Sequence, residues 1–372
     1  MTEQAEKTIS QLELIESIEN TCETLDTDTS IRDIIVRDSA GAGCADFVRS
    51  MPAAKLCHLP EWTKMVESVF GHRGHYLVAY ENCTICGVLP LMQINSRLFG
   101  NRMISQPFSD YGGPLAQTPA ALDALYQYAV ELAFQHGCES IEFRNTSVIP
   151  HNLHLRNDKI SMLLPLASEP EEVWKGLRSQ IRNRIRKAEK SGITIINGQL
   201  ELLDEFYRIW TIRMHQLGTP CYPKKLFRGI METFADNSRI FLAVKDGVTI
   251  AVLFIYTFNG CVLTRWGCAL REYDSIDPNY LLNWSAIEFY CRKAMTCFDF
   301  GRSTIGSGQH TFKERWGAQP IQLFWQYWTR PGSKLRLTKP DDPRYRKKVA
   351  MWQKLPLWLT RIIGPRISCN LP

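Results

Sequence analysis

No stretch of this sequence supplies the roughly 18 continuous apolar residues of a membrane-spanning helix. Its opening, MTEQAEKTISQLELIESIEN, lacks both the basic and the apolar regions of a secretory signal. The expected location is therefore the cytoplasm. A large excess of one charge is also missing: 44 basic and 38 acidic side chains leave +6 on 372 residues, so a polyanion site has to come from local clustering. The 12 cysteines are scattered. Only Cys83 and Cys86 lie close, in CTIC; no second CxxC follows, and the flanking HYLVAYENCTICGVLPL reads as a hairpin rather than a strand entering a helix. Disulfide, redox and metal chemistry are not expected. His151 and His154, in HNLH, read as polar surface.

What is present begins with length. A chain of 372 residues, 45% hydrophobic, is too long for one ordinary core and predicts two domains. An internal repeat supports this. LVAYENCTICGVLPL, from Leu77, matches FLAVKDGVTIAVLFI, from Phe241, if one residue is inserted after the turn: Ala79 pairs with Ala243, Asn82 with Asp246 and Ile85 with Ile250. Each hairpin is followed by a helical pattern, LDALYQYAVELAFQHG or NYLLNWSAIEFYCRKA, and then by a strand, SIEFRN or CFDFGRS. The same order occurring twice predicts a tandem α/β duplication with mixed sheets.

The expected divisions are an acidic N-terminal lead over 1–30, a first domain over 31–165, a second over 166–340 beginning with a basic helix, and a basic amphipathic tail over 341–372. The lead carries eight acids and one lysine. The tail, from Arg344 to Arg366, carries seven basic residues and no acid, interleaved with Trp352, Leu355, Leu357, Trp358, Leu359, Ile362 and Ile363. That composition suits either a helix packed on the second domain or one lying on the inner face of a membrane.

The densest charge lies in RSQIRNRIRKAEKSG. Arg178, Arg182, Arg184, Arg186, Lys187 and Lys190 oppose the single Glu189, six minus one, +5. On a helix, Leu177, Ile181, Ile185 and Ala188 share the docking face, while Arg178, Arg182, Arg186 and Lys190 step by four along an adjoining stripe. Like charges at i, i+4 repel by a few tenths of a kcal/mol each, which an anionic ligand would relieve, and arginine's planar fork suits phosphate oxygens. The second dense stretch is FDFGRSTIGSGQHTFKERWGAQP: a strand end, a loop through Gly306 and Gly308, then Phe312, Lys313, Arg315 and Trp316. Glycines at a strand end let backbone N–H groups approach an oxyanion.

Together these stretches resemble the Fem-type (FemAB) aminoacyl transferases. RSQIRNRIRKAEKSGI is similar to their basic helix, and FDFGRS followed by HTFKERWGA to their closing strand and Phe-Lys signature; SQPFSDYGG (Ser105–Gly113) and HQLGTP (His215–Pro220) resemble motifs of a subgroup found with exosortase and exopolysaccharide systems. The resemblance runs from Val48 to Pro365. It implies tandem N-acetyltransferase-like (GNAT) folds with a groove across the domains, and transfer of an aminoacyl group from tRNA to an amine of an envelope precursor. By position it makes Lys313 the residue that stabilises charge during transfer and Phe312 its aromatic neighbour, and puts Arg182, Asn183 and Arg186 in the basic-helix motif. Two features depart from it. No coiled-coil arm is present, and RSTIGSG sets Arg302 one residue too far from Gly306 for an acyl-CoA loop of the form Q/R-x-x-G-x-G/A.

The expected site therefore comprises Lys313, His310 and Asp299 as catalytic residues, with Asp110 a further possible base, and Arg178, Arg182, Asn183, Arg186, Arg302, Ser303, Gly306, Gly308, Phe312 and Tyr111 binding substrate. No permanently bound cofactor is expected; the donor is aminoacyl-tRNA or acyl-CoA, and the partner a phosphate-bearing molecule, tRNA or a nucleotide- or lipid-linked sugar precursor. Two alternatives stay open: a non-catalytic tRNA or nucleotide-sugar binding protein, and a structural partner of polysaccharide machinery.

Overall fold

The computed structural model of the chain describes residues 34–96, 99–335 and 343–371; the acidic lead of 1–30 lies outside them. The elements run β1 (Ile34–Asp38), α1 (Cys44–Ser50), α2 (Pro60–Phe70), β2 (Arg73–Glu81), β3 (Thr84–Ser96), β4 (Gly100–Ile104), β5 (Leu115–Ala116), α3 (Pro119–Gln135), β6 (Ser140–Asn145), β7 (His154–Arg156) and β8 (Lys159–Pro165). They continue through α4 (Pro170–Gly176), α5 (Ser179–Lys190), β9 (Thr194–Gly198), α6 (Leu203–Leu217), α7 (Lys224–Thr233), β10 (Ser238–Lys245), β11 (Val248–Phe258), β12 (Cys261–Ala269), α8 (Pro278–Cys291), β13 (Cys297–Thr304), α9 (Gly308–Arg315), β14 (Gln319–Gln322), β15 (Phe324–Thr329), α10 (Pro343–Lys354) and α11 (Leu357–Ser368).

The duplication is real down to its irregularities. Asn82 and Cys83 turn the β2–β3 hairpin with φ of 49° and 64°, and Asp246 and Gly247 turn β10–β11 with 50° and 76°, the paired positive φ of a tight hairpin turn. The ladder shifts register after Ala79 in one hairpin and after Ala243 in the other, the two residues that the sequence alignment pairs. In each half a third antiparallel strand follows, then a helix, then a strand parallel to that third one: β4 with β6 and β12 with β13. Cys83 sits exposed at the first turn and Cys86 is buried on β3.

The strand content departs from the expected boundary at 165. One sheet runs β1-β2-β3-β4-β6-β15-β7, the other β14-β8-β13-β12-β11-β10-β9. β8, assigned by sequence order to the first half, lies against β13 in the second sheet. β15, from the second half, lies against β6 in the first, with Trp325 opposite Arg144. Each half thus completes its sheet with a strand from the other. The physical reason is that a strand beside the parallel pair needs only an antiparallel edge and an apolar face, and either segment offers both.

The described residues form three apolar cores. Trp62 and Val66 of α2, Phe206 of α6 and Phe227 of α7 pack between the two sheets, together with Phe254, Trp266 and Trp325. α3 covers the outer face of the first sheet, and α5 and α8 that of the second. The central core ties the halves together and fixes the seam between them.

Candidate active site

The seam is organised by the segment FDFGRS. Between Asp299 and Arg302 the pairing of β13 with β8 shifts, with one extra residue on β13. Gly301 occupies this bulge at φ +73°, where an added Cβ would stand 3.1 Å from the Thr264 carbonyl oxygen. Asp299 pins it: the Gly301 N–H donates to Oδ1 at 2.8 Å, Ser161 Oγ donates to the same oxygen at 2.6 Å, and Tyr111 Oη donates to Oδ2 at 2.5 Å. The bulge leaves two carbonyls for Lys313, whose Nζ donates to Gly301 O at 2.8 Å and Arg302 O at 2.9 Å. Burial lowers the Lys313 ammonium to about 8. An ammonium has three hydrogens, so one remains for a ligand.

The loop Ser105–Gly113 crosses from the first half and delivers a second carboxylate. Asp110 is fully buried, with Arg265 Nη1 2.5 Å and Arg302 Nε 3.2 Å from its Oδ1, and the Arg302 N–H donates to Oδ2 at 3.3 Å. Although burial alone would raise it, the Arg265 and Arg302 guanidinium groups hold this carboxyl down to about 2. Asp299 goes the other way: burial outweighs its hydrogen bonds and raises it. Trp325, brought by the exchanged β15, stands beneath two guanidinium groups, those of Arg144 and Arg302, each 4.6 Å from its ring centroid. Arg144 Nη1 also donates to the Gln106 carbonyl at 3.3 Å and to that of Ser109, holding the loop in place.

Lys313, Asp299, Arg302 and Tyr111 thus come together, and Asp110 joins them. Asp299 differs from the expected base: both its oxygens accept from protein donors and it is sealed from solvent, so it anchors the bulge. His310 also differs. Its Nδ1 accepts from the Gly306 N–H at 3.1 Å, closing the loop ahead of α9, while Ser307 caps that helix through the His310 N–H. The Gly306 amide is therefore engaged. Gly308 is exposed at the start of α9, and Ser303 is buried on β13 with no hydrogen-bond partner for its Oγ among the described residues. Phe312 packs edge-on to Tyr280 at 5.2 Å.

The basic helix is α5, with Ile181, Ile185 and Ala188 buried as its pattern requires. Its charges divide into two sets. Arg182 Nη1 donates to the carbonyls of Leu177 at 2.7 Å, Lys175 at 3.1 Å and Trp174 at 3.4 Å, capping the end of α4. Arg184 and Lys187 grip Asp277, which precedes α8, at 2.7 and 3.1 Å. Arg178, Asn183, Arg186 and Lys190 remain exposed, with the Arg186 guanidinium 5.5 Å over Trp174. The expected ligand stripe loses Arg182 to capping. Arg184 also lies 5.1 Å over Tyr280, the ring that Phe312 touches, so α5 and α9 share a neighbour.

Arg265, Arg144 and Trp325 were not foreseen. The strand SIEFRN alternates apolar Ile141 and Phe143 with polar Glu142 and Arg144, so its pattern places Arg144 on the face opposite those two without marking it as functional. Arg265 and Trp325 lie 155 and 215 residues from their shared partner Asp110, beyond any local pattern. A cleft of about 370 Å³ adjoins the seam in the first half, bounded by Tyr111, Gly113, Thr118, Arg144 and Asn145. Buried His58 borders it; its Nε2 donates to the Gly113 carbonyl at 3.1 Å, and burial lowers the imidazole to about 4. Among the described residues no cluster of His, Cys, Asp and Glu could hold a metal ion, and no helix is long and apolar enough to cross a membrane.

This arrangement is that of two GNAT-like units in tandem. Residues 175–314 match the sequence profile of the acetyltransferase (GNAT) domain. The crystal structure of FemX superposes with a TM-score of 0.61 at 13% identity, over 78% of this chain and 96% of FemX. A tandem GNAT protein from the clavulanic acid biosynthesis pathway gives 0.51 at 14%, over 80% of this chain and 98% of that one. L-PGS from Bacillus licheniformis gives 0.51 at 12%, over 88% and 100%. At these identities the likeness is one of fold. No curated protein matches the sequence.

Proposed function

We propose that this chain is an acyl or aminoacyl transferase that works at the seam, on an amine or hydroxyl of a phosphate-bearing envelope or exopolysaccharide precursor, in the cytoplasm. The observation that carries the reading is Lys313, a buried ammonium seated on two carbonyls of a bulge that both halves of the molecule build. In acyl transfer the carbonyl oxygen gains charge as the tetrahedral intermediate forms. A placed cation there contributes about 3–4 kcal/mol. The acceptor nitrogen or oxygen forms the new bond to the acyl carbon, the bond to the donor's oxygen or sulfur breaks, and the acceptor's proton leaves with the departing group. Lys313 stabilises the oxyanion through its remaining hydrogen, and Arg302, fixed by Asp110 and Trp325, supplies a second cation. Tyr111 and Asp299 position the bulge. Arg178, which precedes α5, and Arg186 and Lys190 on it supply the phosphate-binding edge.

The donor is either aminoacyl-tRNA or acyl-CoA, and the resemblance to the exosortase-associated subgroup of FemAB-like proteins favours a polysaccharide-linked acceptor. Binding of bulk aminoacyl-tRNA and of acetyl-CoA across a salt series tests this, with Arg178→Glu/Arg186→Glu alongside the wild type. A steep salt slope lost in the variant identifies tRNA. Shallow, retained binding of acetyl-CoA identifies a thioester donor. If the folded wild type binds neither, the reading fails.

A further inference from the structure

The C-terminal helices α10 and α11 form a strap across both halves. His215 Nε2 donates to the Leu355 carbonyl at 2.8 Å, Arg361 Nε to Thr211 Oγ1 at 3.0 Å, and Ser368 Oγ to the Cys221 carbonyl at 2.9 Å. Beyond α11 the strap reaches the first half. His72 Nε2 donates to the Cys369 carbonyl at 2.7 Å and Arg102 Nη2 to that of Asn370 at 2.8 Å.

The docking face is made of small residues. Thr360, Gly364 and Ser368 are buried, and a Cβ on Gly364 would meet the Cys221 backbone nitrogen at 3.1 Å. Three large apolar side chains point the other way, Trp358 at 63% exposed, Ile362 at 49% and Met351 on α10 at 69%, whereas Trp352 of α10 is buried. At about 100° per residue, Trp358, Ile362 and Arg366 follow one another around the outer arc of α11, while Arg361 lies at its edge with its guanidinium held by Thr211 and the Arg208 carbonyl. A helix that served only to cover a globular core would bury its tryptophan and expose its threonine and serine. Lys347 and Lys354 are exposed on α10, and no acid occurs from Lys347 to Leu371.

That combination identifies the partner by complementarity. The cations call for an anionic surface, and Trp358, Met351 and Ile362 for one with an apolar interior just beneath its charge. The face is the convex side of a helix rather than a groove, so it suits a flat surface better than a peptide. Arginine beside tryptophan fits the headgroup layer, where stems and rings lie in the apolar boundary while charges stay wet. We propose that this face docks on an anionic phospholipid bilayer, with α11 lying in the plane of the headgroups. The proposal stands on the tail alone and does not rest on the transferase reading. It has a mechanical link to the seam nonetheless: α11 holds the Cys221 turn, and the neighbouring Tyr222 ring stands edge-on to Phe108 of the seam loop at 5.5 Å.

Flotation of the full chain with vesicles tests this, using pure phosphatidylcholine and the same lipid containing about a third phosphatidylglycerol. Two variants accompany the wild type, Trp358→Ala/Ile362→Ser and Lys354→Glu/Arg366→Glu. All four positions are exposed, and unchanged thermal unfolding would verify that the variants are folded. The wild type should float with the anionic vesicles only, and less at high salt. The apolar variant should lose roughly tenfold or more in partitioning, and the charge variant roughly fivefold for each lysine or arginine removed. The proposal is overturned if the folded wild type ignores anionic vesicles, or if both variants float as it does. It is equally overturned if Trp358→Ala/Ile362→Ser breaks a dimer in sedimentation while vesicle binding is unaltered, since a second copy would then be the occupant.

Discussion

Tyr111 donates its phenolic hydrogen to Asp299 across the seam at 2.5 Å, so a loop of one half supplies a donor to the carboxylate that shapes the other. Tyr111→Phe deprives a buried carboxylate of one of three donors, and should cost about 1–3 kcal/mol in urea unfolding. Because burial already raises the Asp299 carboxyl, its ionised form opposes folding: stability from this group is fullest below its unfolded value and falls as pH rises through the folded one. The cost of the variant should therefore be greater at pH 7 than in acid.

Asp110 has the opposite sign. Held down to about 2, it stabilises the fold above its unfolded value near 3.8, and that contribution is lost as pH falls through about 2. Asp110→Asn leaves Arg265 buried without its countercharge and should destabilise by about 3–5 kcal/mol at neutral pH. Denaturation of both proteins across pH should show the gap closing in strong acid. A constant gap would mean that the carboxylate's charge is not what matters.

Lys313→Met should lower the transfer rate by about 10²–10³-fold with little change in KM, as expected for an interaction made chiefly in the transition state. Its ammonium is lowered to about 8, so the oxyanion-stabilising charge is lost above that pH, and Lys313→Arg should hold it. Stability runs in reverse. Between about 8 and the unfolded value near 10.5 the unfolded chain binds more protons, so wild-type stability should rise relative to Lys313→Met across that window.

Gly301→Ala forces a side chain into a left-handed position and against the Thr264 carbonyl. A loss of roughly 1–2 kcal/mol from backbone strain alone is expected, and displacement of the two carbonyls under Lys313 should slow transfer as well. Calorimetry and steady-state kinetics on one preparation would read both.

Arg182 and Arg186 sit one turn apart and should behave differently. Arg182→Ala removes the cap of α4 and should cost about 1 kcal/mol of stability. Arg186→Ala should leave stability nearly unchanged and weaken binding of the anionic ligand. Equal effects on binding would return Arg182 to the ligand stripe.

What the sequence made legible follows from distance along the chain. The duplication could be read because its signature is local: Asn82-Cys83 and Asp246-Gly247 turn their hairpins by backbone chemistry that neighbouring residues set. The docking face of α5 could be read from Ile181, Ile185 and Ala188 for the same reason. The fates of its arginines could not. Asp277, which holds Arg184, lies 93 residues away, and Arg182 is engaged by carbonyls, which leave no mark in side-chain patterns. Lys313 was identified by likeness to a motif, whereas its seat depends on a bulge pinned by Asp299 through Ser161, on a strand expected to belong to the other half. The exchange of strands across 165 could not be read for a related reason: β8 and β15 carry no label saying which sheet they join.

The exchange of β8 and β15 sets a schedule for synthesis. When Asn145 has left the ribosome, the edge of β6 has no partner, and β15 begins only at Phe324. At about 5–20 residues per second that interval is roughly ten seconds to over half a minute, during which β6 presents unpaired N–H and C=O groups. The nascent first half is thus an unfinished sheet that depends on chaperones or on its own loops for cover. Truncation anywhere before Thr329 should yield insoluble product rather than one soluble half.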